Sequence, residues 1–134
     1  MTFSSVQNIA QRAQLTAELG RIDRDLNSLD AGRERLINLR GRMRTSRDNY
    51  NRVRNRVLNQ ELTSQIRVQN HFQGQCANTL RTNYRATVSL LGSRENSIDS
   101  LMAGIDAQIL RISTTRTALQ NRRAIVVNQL NNLN

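Results

Sequence analysis

The side chains best equipped for chemistry in this sequence are His71 and Cys76, its one histidine and its one cysteine. A thiolate beside an imidazole can serve as nucleophile and base, but only in a shaped pocket that holds a substrate against them. Two slender helices supply no such pocket. With no second histidine or cysteine nearby, the pair makes no metal-ligand cluster. A single cysteine also excludes an intramolecular disulfide. The six glycines occur singly, so no phosphate-cradling or dinucleotide-binding loop is present. The ten carboxylates are spread along the chain without a convergent pair. These residues predict a non-enzymatic protein without metal or cofactor.

The basic residues carry more information. The formal charge is +10 and all 20 basic residues are arginine, with a pI near 11.6. Helix propensity does not distinguish lysine from arginine. Arginine differs in presenting a planar fork to carboxylate or phosphate, on a stem that covers apolar surface. Two explanations of the missing lysine stand side by side: codon bias of the source genome, or selection against a modifiable amine.

The elements that must position these groups are helical. The chain has no proline and only Phe3, Tyr50, Phe72 and Tyr84 as aromatics, which favours long uninterrupted helices over a thick globular core. Apolar residues recur every seven positions at Leu15, Ile22, Leu29, Leu36, Met43, Tyr50 and Val57. A second ladder runs Ala77, Tyr84, Leu91, Ile98, Ile105, Ile112, Leu119, Val126 and Leu133. Sustained seven-residue spacing marks helices that wind around partners. Val57 and Ala77 are 20 residues apart, so the ladders are out of phase. The break lies around 68–76 and contains Gly74, which tolerates the backbone of a tight turn. Phe72 would close the end of the hairpin against Ala77 and Leu80. The expected fold is all-α, a single antiparallel two-helix hairpin with heptad packing, completed by a partner into a four-helix bundle. Arm one covers about 4–70, the turn about 71–75 and arm two about 76–133. Ser4 or Ser5 would cap the first helix; Gly20, Gly32, Gly41 and a kink near Gly92 are its weak points and those of the second.

Four residues beyond each member of the first ladder, a companion column reads Leu19, Leu26, Arg33, Arg40, Arg47, Arg54. Successive arginines in a seam require pairing. With the turn centred on residue 73, facing residues have numbers adding to about 146. Arg40 then faces Asp106, Arg47 faces Asp99, and Glu95 falls near Arg52. Arg33, Arg35, Arg42, Arg44, Arg54 and Arg56 remain as a basic face, either solvated or docking an acidic helical partner. Nucleic acid is the other polyanion such a face could take, although no stacking aromatics interleave these arginines.

The stretch "HFQGQCANTLRTNY" resembles the central turn of the WXG-type helical hairpins exported by the type VII secretion system. Phe72, Gln73 and Gly74 stand for Trp-x-Gly, and Ala77, Leu80 and Tyr84 for the small, apolar and aromatic positions that follow. Phenylalanine replaces tryptophan, and neither ladder is followed by a Tyr-x-x-x-Asp/Glu export signal. The resemblance implies an accessory protein that binds the helical targeting domain of an LXG-type toxin, with the export signal on another subunit.

The N-terminal stretch has no basic region followed by an apolar block, and no apolar run approaches a membrane span. The expectation is a chain that is cytoplasmic before export, leaving the cell without a cleaved signal peptide if exported. The leading functional expectation is an obligate helical partner of another protein, or of a second copy. The alternatives are a basic hairpin that binds nucleic acid non-specifically, and a structural rod or assembly subunit.

Overall fold

The computed structural model describes residues 3–71 and 74–133, and the side-chain surroundings of 5–63, 74 and 78–133. Two helices account for nearly all of it, α1 (Phe3–His71) and α2 (Gln75–Asn132), packed against each other as a hairpin. No strand occurs among the described residues. α1 begins at Phe3, so Ser4 and Ser5 lie within its first turn and do not precede it as caps. α1 continues through Gly20, Gly32 and Gly41, and α2 through Gly92 and Gly104.

Both helices are rich in serine, threonine and asparagine, residues that compete with helical hydrogen bonding. Here several hydroxyls turn back onto the preceding turn. Thr45 donates to the Gly41 carbonyl at 3.1 Å, Thr87 to Asn83 at 3.0 Å and Thr117 to Ser113 at 3.0 Å. The reversal falls between His71 and Gln75. Gly74 has φ of 98°, and its carbonyl accepts from the Asn78 amide at 3.2 Å, the first hydrogen bond of α2. A glycine is required there because a Cβ is strained at that φ.

The chain divides into two compact units, one formed by Met1–Ile37 with Asp106–Asn134 and the other by Asn38–Ile105. In the first unit the ladders supply the core: Ile22 and Val126 are buried, flanked by the half-buried Leu19, Leu26, Leu119 and Leu130. In the second unit the ladder members Met43, Tyr50, Val57, Tyr84, Leu91 and Ile98 are only half-buried. The one buried residue described in that unit is a charged one, Glu95.

Candidate interaction surface

Ion pairs between the arms define the register within each unit. In the first unit Arg116 bonds Asp30 at 2.7 Å, Arg123 bonds Asp23 at 2.8 Å, and Arg122 grips both oxygens of Glu18 at 2.6 and 3.0 Å. In the second unit Arg47 bonds Asp99 at 2.5 Å, Arg54 lies 2.9 Å from Glu95, and Arg85 lies 3.5 Å from Glu61. Four of these six pairs have residue numbers adding to 146: Asp23 with Arg123, Asp30 with Arg116, Arg47 with Asp99, and Glu61 with Arg85. Of these four, sequence reasoning named only Arg47 with Asp99. The same sum carried along the whole chain would have found the other three.

The Arg122 fork holds the Glu18 carboxyl below its ordinary range, and Glu18 in turn raises the Arg122 guanidinium. The hydrogen bond to Asp99 likewise raises Arg47. Such solvent-screened pairs add little to stability. Their larger effect is to exclude other registers, because a one-residue slip separates all of them together.

Arg54 requires a correction. The companion column includes it, but the register leaves it without a partner and so assigns it to the basic face, with Glu95 nearer Arg52. Instead it stands in the seam beside Glu95, while Arg52 is exposed. Helical geometry is the reason: Arg52 follows the ladder residue Tyr50 by two positions and points away from the seam, whereas Arg54 follows by four and returns to it. The contact is an ion pair without hydrogen-bond alignment, since Arg54 Nε has no bonded acceptor despite the short distance. Glu95 Oε1 also lacks a partner, as does the buried Arg81 Nε.

The other expected face residues Arg33, Arg35, Arg42, Arg44 and Arg56 are exposed. Arg33 borders an open hollow of about 590 Å³ in the first unit, shared with Glu34, Ile37 and Arg116. Arg40 belongs to the second unit and Asp106 to the first, and their approach remains an expectation. Of the turn residues, Phe72 and the side chain of Ala77 lie outside the described residues, as do those of His71 and Cys76. Leu80 is 37% exposed and Tyr84 half-buried.

Charge is divided unequally. The second unit holds eleven arginines against four carboxylates, a balance of +7; the first holds nine against six, a balance of +3. No group of three potential metal ligands occurs among the described residues, and none of their helices is long and apolar enough to cross a membrane. Comparison with protein-family models, curated protein sequences and solved structures found no match.

Proposed function

We propose that this chain is a non-enzymatic helical interaction protein whose hairpin is one half of a larger bundle. The observation that carries this reading is the poverty of its own core. Among the described residues only two apolar side chains are buried, while twelve large ones are more than a third exposed. The accessible surface is 9879 Å², against roughly 7,100 Å² for a folded monomer of this mass. The excess of about 2,700 Å² exceeds the roughly 800 Å² each partner contributes to a standard interface. Two such hairpins packed together would cover it in the manner of a four-helix bundle.

The resemblance of the "HFQGQ" turn to WXG-type hairpins refines the reading to an accessory partner for the helical targeting domain of a secreted type VII toxin. The test is sedimentation equilibrium of the chain alone and after co-expression with the helical product of the adjacent gene. A concentration-dependent dimer or a stable complex is expected. A well-folded monomer that forms no complex would remove the reading. Binding to nucleic acid instead would appear as affinity that falls steeply with salt.

A further inference from the structure

The two flanks of the seam differ in chemistry in the second unit. Residues three beyond and one before each ladder member lie on one flank of a helix; residues one beyond lie on the other. The Glu18–Arg122 pair joins two residues that are each three beyond a ladder member. In an antiparallel pair these columns therefore share a side. The Arg47–Asp99 and Glu61–Arg85 pairs use the seam and the opposite flank, since Asp99 and Arg85 each follow a ladder member by one.

On the first flank of the second unit, α1 places Leu39 and Val53, 39% and 42% exposed. α2 places Leu80, Leu90 and Leu101 there, at 37%, 57% and 60%. Among the described residues of the unit these are five of the seven exposed large apolar ones; Leu58 and Leu62 lie elsewhere. Arg42 and Arg56 border the strip and Arg94 lies within it, in the column of Leu80 and Leu101; all three are exposed and in no ion pair with a described residue. The unit's four carboxylates, Asp48, Glu61, Glu95 and Asp99, all fall on the seam or the opposite flank.

We infer that this carboxylate-free flank is a docking groove for an acidic amphipathic helix of another protein. The inference rests on the reading of the hairpin as an incomplete bundle and states which side is incomplete. A shallow apolar strip between two helices fits the cylinder of a third. Arg42 and Arg56 are two heptads apart, so carboxylates at the same spacing would meet both, with apolar residues three positions from each carboxylate against Leu39 and Val53. A second copy presenting the same flank would set arginine against arginine without a compensating acid. Phosphate backbones would satisfy the arginines but leave the leucines unmatched.

The probe is a synthetic three-heptad peptide with leucine along one stripe and glutamate beside it, titrated into the full chain at low salt and followed by anisotropy. A peptide with lysine in place of each glutamate serves as its counterpart. Arg42→Glu with Arg56→Glu should weaken the acidic peptide by at least about tenfold, roughly the worth of two or more charge-assisted contacts. Arg44→Glu with Arg52→Glu makes the same charge change on other sides of α1 and should leave affinity within about twofold. Val53→Asp should act like the first pair, and circular dichroism confirms that each variant remains helical. Equal loss in both arginine pairs, binding of the lysine peptide, or binding to phosphatidylserine vesicles in place of the peptide would overturn the groove. If association in sedimentation persists while the flank variants have no effect, the groove fails and the incomplete bundle stands. If the chain neither associates nor binds peptide, the bundle fails as well.

Discussion

Arg54 and Glu95 approach to 2.9 Å in the seam of the second unit, where the Glu95 side chain keeps only 8% of its surface exposed. This is a buried carboxylate with one oxygen unsatisfied, facing a guanidinium that is itself partly solvated. Desolvation at such a pair consumes much of what the attraction returns. Arg54→Met should therefore destabilise the chain by about 1–3 kcal/mol, because it strands a buried charge. Adding Glu95→Leu should recover that loss or exceed it. Urea unfolding of the two single variants and the double variant gives the coupling directly. A double variant no more stable than Arg54→Met would contradict this account of the seam.

The register is open to a geometric check. With Cys76→Ser as background, Arg47→Cys and Asp99→Cys should be bridged within one chain by a short bis-maleimide in dilute solution. Arg47→Cys with Leu91→Cys, more than one helical turn away along the same arm, should not be bridged. Mass spectrometry distinguishes the intrachain product from a crosslinked dimer, which would mean that the arms belong to different chains.

Glycines at different places should respond with opposite sign to the same change. Gly74 has open space where a Cβ would lie but a φ of 98°, so Gly74→Ala should cost about 1–3 kcal/mol through backbone strain alone. Gly41 and Gly104 sit in continuous helix, also with open space. Gly41→Ala and Gly104→Ala should each raise stability by about 0.5–1 kcal/mol. Thermal midpoints that fall for all three would mean that the helical glycines have a packing role.

Acid should weaken the first unit through Glu18. Its carboxyl is held below the ordinary value of 4.5 by the hydrogen bond from Arg122. A group whose folded value is depressed stabilises the fold above its unfolded value and loses that contribution as pH falls through the folded one. The Glu18–Arg122 contribution should thus be intact at neutral pH and vanish below the ordinary glutamate range. Thermal midpoints of the parent and of Glu18→Gln should differ near neutrality and converge in acid. A constant difference across the range would show that Glu18 acts through packing.

Much of the fold was legible because it is written in local pattern. Leu15 through Val57 and Tyr84 through Leu133 repeat every seven residues, and seven is a property of helices packed on helices. The phase break exposed the reversal, since no single straight seam can serve two ladders offset by a residue. The outward arginines were harder. Arg33, Arg42 and Arg56 are exposed as a basic face requires, yet Arg54, equally basic and only two residues from Arg56, belongs to the seam. Composition cannot separate them; angular position separates Arg54 from Arg42 and Arg56, while Arg33 shares the column of Arg54 and is nonetheless exposed.

Periodicity, the absence of proline and residue counts were enough to establish that the chain is helical, that it doubles back, and that it carries excess positive charge. None of these needs knowledge of distant neighbours. Arg47–Asp99 was legible from the turn and the same sum reaches Asp30–Arg116, but that Glu18 meets Arg122 and Arg54 meets Glu95 became visible only once the two arms were placed together. Glu18, Asp30 and Asp99 meet arginines 104, 86 and 52 residues away, and Glu95 is buried by the opposite arm. Those pairings follow from the antiparallel register and the rotation of each helix about its axis. Both are set by side chains packing across the seam. That rotation is also what gathers Leu39, Val53 and Leu101 with Arg42, Arg56 and Arg94 on a flank without a carboxylate.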